Sequence, residues 1–66
     1  MTIGERIAKC RKEKNLSQEY IAELLDVSRQ AVSKWENGMS DPSTSNLLAL
    51  AKLYEVSVEE ILKKIK

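Results

Sequence analysis

The segment SRQAVSKWENG, residues 28–38, carries the strongest structural signal in this chain. Ser28 can cap a helix N-terminus with its hydroxyl oxygen, and Gly38 accepts the left-handed conformation that commonly follows a helix end. At about 100° per residue, polar side chains share one arc of the helix, and Ala31, Val32 and Trp35 lie opposite. The segment therefore predicts an amphipathic helix that is anchored by its apolar face and exposes a polar face.

The polar arc of this helix holds Arg29, Gln30, Ser33, Lys34 and Asn37. A helix about 10–12 Å across fits the DNA major groove, where Arg and Gln make bidentate contacts with guanine and adenine edges. For this stretch alone, a solvated face of an ordinary surface helix is the simpler interpretation. The segment that precedes it favours nucleic-acid binding.

The preceding segment predicts a second short helix packed closely against the first. Ser17 can cap a helix over residues 18–25, so only about three residues separate the two helices, and a turn that tight forces a steep crossing. Ala22 is small enough for close contact with Val32. The apolar residues expected to be buried in this helix are Ile21, Ala22, Leu24 and Leu25. This pattern is typical of a helix-turn-helix.

Three further helices complete the predicted fold. The capping-box spacing of residues 2–5 begins a helix that should end near residues 14–15. A helix follows over about residues 44–54, and a second capping-box pattern at residues 57–60 begins the last one. No strand pattern appears. The sequence predicts an all-α fold, a compact five-helix domain over residues 1–66 with the helix-turn-helix at helices 2 and 3.

Composition excludes several classes of function. The chain has 66 residues, no histidine and one cysteine, which excludes an intrachain disulfide, the usual zinc sites and a His-based catalytic triad. We therefore expect no enzyme activity, no metal and no cofactor, and we interpret Cys10 as a buried small hydrophobe. No apolar run approaches the length of about 18 residues that suggests a membrane span, and no signal peptide is evident, so we expect a cytoplasmic protein.

The net charge is only +1, which argues modestly against a nucleic-acid binder, since such domains usually carry a strong basic excess. Local distribution weakens that objection. Glu55, Glu59 and Glu60 crowd the end of the chain, which leaves the basic residues Lys14, Arg29 and Lys34 to act elsewhere on the molecule.

With these residues laid out, the sequence resembles the lambda-repressor/Cro-like (Xre-type) helix-turn-helix family. The resemblance covers about residues 3–63 and rests on matched segments and their spacing. Those segments are Leu16-Ser17-Gln18-Glu19, Ile21-Ala22, residues 27–38, Pro42, Leu50-Ala51 and Val56-Ser57-Val58. It implies a sequence-specific regulator of transcription that binds double-stranded DNA in the major groove, with repression as the simplest mechanism.

The resemblance also implies residue roles. Base-reading side chains would be Ser28, Arg29, Gln30, Ser33 and Lys34. Phosphate contacts would come from Gln18, Asn37, Met39, Ser40, Thr44 and Ser45, and Gln18 would also brace the start of the recognition helix. Arg11 would pair with Glu36, as its position beside the apolar stripe of helix 1 also indicates.

Dimerisation is expected because one recognition helix offers only about three or four base-reading side chains, too few for a specific genomic site. Two copies related by a dyad would place their helices about 34 Å apart on a palindromic operator. The candidate interface is Val58, Leu62 and Ile65, near positions where family members dimerise. The alternative is that Ile65 is frayed and the protein dimerises only on DNA.

A different class of function is a protein-interaction module, such as an antitoxin that binds a partner protein through the same polar helix face. A DNA reader should lose affinity steeply with salt, whereas a partner site needs an exposed apolar patch. The polar arc contains no apolar residue, which favours DNA.

The sequence also predicts the backbone conformation at two positions, Asp26 and Gly4. Asp26 stands where the family usually has glycine, and we expect it to adopt a positive φ, which Asp tolerates at some cost. Gly4 is interpreted as part of a first helical turn in which fraying softens the helix penalty of glycine.

Overall fold

The computed structural model describes residues 2–62. Five α-helices follow one another in that range, with no strand among the described residues: α1 Ile3–Glu13, α2 Gln18–Leu25, α3 Arg29–Glu36, α4 Thr44–Tyr54 and α5 Val58–Leu62. The all-α fold with a helix-turn-helix at α2 and α3 is confirmed. None of the helices between residues 2 and 62 is long and apolar enough to cross a membrane.

Local hydrogen bonds explain where the helices begin. Thr2 and Glu5 form the reciprocal capping box before α1. Ser17, Ser28 and Ser43 each accept a backbone N–H from the first turn of the following helix, which satisfies a donor that has no partner inside the helix. The starts of α1 to α4 are therefore set by hydrogen bonds between residues that are close in sequence.

Left-handed residues explain where several helices end. α1 stops at Glu13, slightly before the predicted end, and Asn15 just beyond it has a φ of 60°. Asp26 caps α2 with a φ of 59°, as expected from the glycine that the family usually has at this position. Gly38, with a φ of 85°, follows the end of α3. The chain therefore reverses sharply between α2 and α3 at a non-glycine residue.

The core is a single apolar cluster to which α1 to α5 all contribute. Its most buried large members are Ile7, Ile21, Val32, Leu50 and Ile61. The expected burial of Leu24 is wrong, because its side chain is 49% exposed. At about 100° per residue, Leu24 lies roughly a right angle away from the arc that the rest of the α2 core side chains share.

Gly4 has a tertiary role that the sequence did not indicate. It is buried, and a Cβ atom built on it would meet the carbonyl oxygens of Trp35 and Glu36, the latter at 2.7 Å. Gly4 does lie in the first turn of α1, as expected, but close packing explains the glycine there, and fraying does not. Its missing side chain lets the start of α1 pack directly on the end of α3, which holds α1 against the helix that carries the candidate site.

Candidate nucleic-acid interface

The face of α3 that points away from the core is polar. Val32 and Trp35 are buried, whereas Arg29, Gln30 and Lys34 are exposed. Ser33 is half-buried. The exposed side chains carry long amide or cationic groups on one rigid helix, an arrangement that can present donors and acceptors to a surface outside the protein. Ser28 is exposed too, but its hydroxyl oxygen already accepts the N–H of Ala31 at 3.1 Å.

An ion pair lies behind this face. Arg11 Nε donates to Glu36 Oε2 at 2.7 Å, and Arg11 Nη2 donates to Glu36 Oε1 at 3.0 Å. The third guanidinium nitrogen, Nη1, donates to the Leu16 carbonyl at 2.7 Å. The side chains of Arg11 and Glu36 are only 12% and 8% exposed. The structure thus brings together the two charges that were assigned to each other from sequence, and links α1 to the end of α3.

Hydrogen bonding and burial shift the pKa values of three groups in this part of the molecule. Hydrogen bonding to Glu36 raises the pKa of Arg11, and this outweighs the lowering that burial causes. Burial raises the pKa of the Tyr54 hydroxyl well above its usual range. Burial also raises the pKa of Cys10, which is half-buried against the core. A thiol with a raised pKa is a poor nucleophile at neutral pH, which agrees with a packing role for Cys10.

Gln18 connects the ion pair to the exposed face. Its Nε2 donates to Glu36 Oε1 at 2.9 Å, and its Oε1 accepts from Arg29 Nη1 at 3.3 Å. The sequence placed Gln18 beside the start of α3, but it gave no sign of the bond to Glu36. Spacing along α2 could not reveal that contact, because it depends on where the end of α3 lies.

Apart from Gln18, the residues assigned to phosphate contacts follow the end of α3 in the chain. Asn37, Met39 and Ser40 are exposed in the loop after α3, and Thr44 and Ser45 are exposed in the first turn of α4. The loop is braced internally. The N–H of Met39 donates to the Lys34 carbonyl at 2.9 Å and to Asn37 Oδ1 at 3.2 Å, and the N–H of Ser40 donates to the same carbonyl.

Because the N–H groups of Met39 and Ser40 already donate to acceptors within the protein, the loop has few backbone donors left for a ligand. Ser40 retains its hydroxyl, whereas Met39 offers mainly a side chain that is 73% exposed. At the start of α4, the N–H of Asn46 is taken by the Ser43 hydroxyl, but the N–H groups of Thr44 and Ser45 have no partner within the helix. The start of α4 is therefore the better donor of backbone N–H groups to an anion.

An apolar surface lies on another side of the molecule. Val58 is half-buried and Leu62 is 39% exposed, while Ile65 lies outside the described residues. Leu48 on α4 is 53% exposed and lines a groove together with Lys52, Val56 and Val58. The candidate interface predicted from the sequence did not include Leu48. No group of potential metal ligands occurs among residues 2–62.

Comparisons with known proteins agree with this geometry. The helix-turn-helix family profile matches residues 7–61. The transcriptional activator BcrR of Enterococcus faecalis is 42% identical over 62 residues, which cover 94% of this chain and 30% of BcrR. The transcriptional regulator DicA of Escherichia coli is 44% identical over 62 residues, which cover 94% of this chain and 46% of DicA. The chain thus spans less than half the length of either relative.

A solved structure shows the same fold. The P22 c2 repressor in complex with a synthetic operator superposes with a TM-score of 0.89 and 36% sequence identity, and the match covers 96% of each chain. The family is one of transcriptional regulators and is not an enzyme class. Because the profile covers most of the chain, the protein belongs to the lambda-repressor/Cro-like (Xre-type) helix-turn-helix family of DNA-binding regulators.

Proposed function

We propose that this protein is a sequence-specific repressor that inserts α3 into the major groove of double-stranded DNA. The observation that carries the proposal is the composition of the exposed face of α3. Arg29, Gln30 and Lys34 project from a helix whose other face is fixed in the core, and Arg and Gln are suited to reading guanine and adenine. Ser28 and Ser33 would make shorter contacts at the edge of the same face.

Phosphate contacts would set the register of α3 in the groove. The candidate contacts come from Gln18 at the start of α2, from the loop after α3 and from the start of α4. Asn37, Ser40, Thr44 and Ser45 supply amide and hydroxyl groups there. The start of α4 favours an anion because its dipole end is positive and the N–H groups of Thr44 and Ser45 have no partner within the helix. Such contacts position a protein on DNA without reading sequence.

A protein partner on the same face is the less favoured alternative. The described part of α3 exposes no large apolar side chain, although a protein interface usually has an apolar centre. The exposed apolar side chains Tyr20 and Leu24 lie on α2 instead, at 45% and 49% exposure. A partner that bound them would leave the polar face of α3 unused.

We further propose a homodimer on a palindromic operator, with recognition helices about 34 Å apart. Val58 and Leu62, with the adjoining side chain of Leu48, supply an apolar patch for the contact. Ile65 was assigned to the same interface from sequence and lies outside the described residues. A single α3 offers too few base-reading side chains for a specific genomic site. Pairing two copies doubles the number of base contacts.

Selection of bound sequences from a random duplex library tests the DNA function. The expected product is an enriched, approximately palindromic site whose binding weakens steeply with salt, with a log–log slope of about −0.9 for each phosphate contact. Lys34→Ala should reduce affinity, and Lys9→Ala is the matched control, because both residues are exposed lysines and Lys9 lies on α1. An unenriched library, or equal effects of the two variants, would contradict the proposal.

The dimer is tested separately by sedimentation and by cooperative binding to the selected site. Leu48→Asp with Leu62→Asp should leave a folded monomer that fills a palindromic site without cooperativity. Leu24→Asp is the control, since Leu24 is as exposed as Leu48 but lies on α2. If the double variant remains dimeric, or if the control dissociates equally, the dimer surface lies elsewhere.

A further inference from the structure

Residues 2–62 include two sulfur-containing side chains, and these differ in their exposure. Cys10 is half-buried against the core, and burial raises the pKa of its thiol. Because the thiolate is the form that oxidants attack, Cys10 reacts slowly at neutral pH. Met39 is 73% exposed, more than any other large apolar side chain in the described part of the chain. A thioether needs no ionisation to be oxidised, so Met39 carries the reactive sulfur.

The backbone of Met39 is held beside residues that are proposed to contact DNA. Its N–H donates to the Lys34 carbonyl at 2.9 Å and to Asn37 Oδ1 at 3.2 Å. The N–H of Ser40 donates to the same Lys34 carbonyl at 3.3 Å. Lys34 is a proposed base-reading residue, and Asn37 and Ser40 are proposed phosphate contacts. These hydrogen bonds therefore fix Met39 among the residues of the proposed DNA surface.

The chemistry of Met39 differs from that of its neighbours on this surface. A phosphate oxygen needs a hydrogen-bond donor, but the Met39 N–H already bonds within the protein. The side chain has no donor, since a thioether sulfur is only a weak acceptor. What Met39 can offer to a DNA backbone is an apolar contact with the deoxyribose carbons beside the phosphates. Such a contact depends on the side chain remaining apolar.

Oxidation by a peroxide removes that property of the side chain. The sulfur lone pair attacks one oxygen of hydrogen peroxide, so that an S–O bond forms and the O–O bond breaks. The second peroxide oxygen keeps the electron pair of the broken bond, takes the proton of the transferred oxygen and leaves as water. The sulfur is oxidised and the peroxide is reduced. The product, methionine sulfoxide, is polar and uncharged.

A sulfoxide is poorly suited to a position beside phosphates. Its oxygen is a hydrogen-bond acceptor with a partial negative charge, as a phosphate oxygen is, so the two groups repel each other at short range. The bonds that brace the loop use backbone N–H groups and the oxygens of Lys34 and Asn37, and no atom of the Met39 side chain. Oxidation should therefore change the contact surface and leave the fold and the loop intact.

We propose that Met39 is a reversible oxidation site through which a peroxide lowers the affinity of this protein for DNA. The proposal rests on the proposed DNA-binding function and adds a regulation of the same surface. Methionine sulfoxide reductases reverse the reaction: thiols supply the electrons and become a disulfide, and the sulfoxide oxygen leaves as water. Binding should return with the thioether.

The chemistry of the sulfoxide also predicts how the loss of affinity depends on salt and on sequence. Because the sulfoxide is uncharged, the slope of log affinity against log salt should stay the same. Contacts with sugar and phosphate carry no direct sequence information, so the affinity for the selected site and for random duplex should fall by similar factors. A base-reading residue would instead affect mainly the selected site.

The test compares duplex binding before and after peroxide treatment, with mass spectrometry to locate the added oxygen. Treatment should oxidise Met39 before Cys10 and weaken binding by about two- to tenfold, as the loss of one net hydrogen bond would. Met39→Leu keeps an apolar side chain of similar size and retains Cys10 and Met1, the latter outside the described residues. Its affinity, whatever its value before treatment, should not change on treatment. Cys10→Ala is the matched control and should lose affinity as the unaltered protein does.

Several results would overturn the proposal. An unchanged affinity after complete oxidation of Met39 is one, and an equal loss in treated Met39→Leu is another, since the oxidation would then act elsewhere. A changed salt slope, or loss of helix in the circular dichroism spectrum, would show that the effect comes from charge or from unfolding. A loss that persists after the reductase has removed the sulfoxide would exclude Met39 as its cause.

The rate of oxidation separates this proposal from the proposed function. Excess duplex should slow the oxidation of Met39, whereas free methionine in the same solution should be oxidised at the same rate with and without duplex. If the protein binds duplex and Met39 is still oxidised at an unchanged rate, Met39 lies outside the contact surface and only this proposal fails. If no duplex is bound, the proposed function fails, and the effect on DNA proposed for Met39 fails with it.

Discussion

Removal of either charge from the pair of Arg11 and Glu36 should strongly destabilise the fold. Glu36 accepts three hydrogen bonds, from Arg11 Nε at 2.7 Å, Arg11 Nη2 at 3.0 Å and Gln18 Nε2 at 2.9 Å. Both charged side chains are at most 12% exposed. Breaking a buried pair by removing one partner costs about 3–5 kcal/mol. We expect the lower part of that range, about 3 kcal/mol, because neither side chain is fully enclosed.

A loss of about 3 kcal/mol is a large share of the free energy of unfolding of so small a chain. At about 0.05–0.15 kcal/mol per residue, a chain of this size has a free energy of unfolding of roughly 3–10 kcal/mol. The assay is urea unfolding of Arg11→Met, Glu36→Met and the double variant. The single tryptophan, Trp35, is 6% exposed and reports on unfolding by fluorescence. Because the double variant leaves no buried charge unpaired, it should be more stable than the sum of the single losses predicts, by about 2 kcal/mol or more.

The pair of Lys14 and Glu55 is the internal control. Its charged atoms are 3.6 Å apart, and the two side chains are 37% and 81% exposed. The same cycle there should give a coupling of about 0–1 kcal/mol, since exposed pairs are solvated and screened. A coupling near zero for Arg11 with Glu36, or one no larger than in the control, would refute the argument from burial.

Three other substitutions test single positions. Gly4→Ala would bring a methyl group against the carbonyl oxygens at the end of α3 and should lower stability in urea by about 1–3 kcal/mol, as overpacking does. Asp26→Gly should raise the melting temperature, with a gain of about 1 kcal/mol at most, because glycine adopts the positive φ of residue 26 without steric cost; a lower melting temperature would show that Asp26 makes a useful turn contact. Gln30→Ala should cost about 1–3 kcal/mol on the selected site and little on random duplex, and equal losses on both would show that Gln30 only positions the protein.

Much of the fold could be predicted from residues close together in sequence. A hydroxyl such as that of Ser17 or Ser28 caps a helix through an N–H three residues away, and a 3.6-residue period marks the face that will be buried. The positive φ of Asp26 was expected from the resemblance, because the family usually has glycine at that position. These features depend on local geometry, so the chain order alone is enough to predict them, and with them the polar face of α3.

Other features depend on where helices that are distant in sequence come together. Gly4 is needed because the end of α3 lies against it, and Gln18 bonds to Glu36 across 18 positions. Leu24 is apolar and was expected to be buried with its neighbours, yet its side chain is 49% exposed. Periodicity gives the direction of a side chain from its own helix axis, but not which neighbour it meets. The tertiary packing of α1 and α2 against α3 decides those contacts, and through them the orientation of the Gln18 amide beside Arg29.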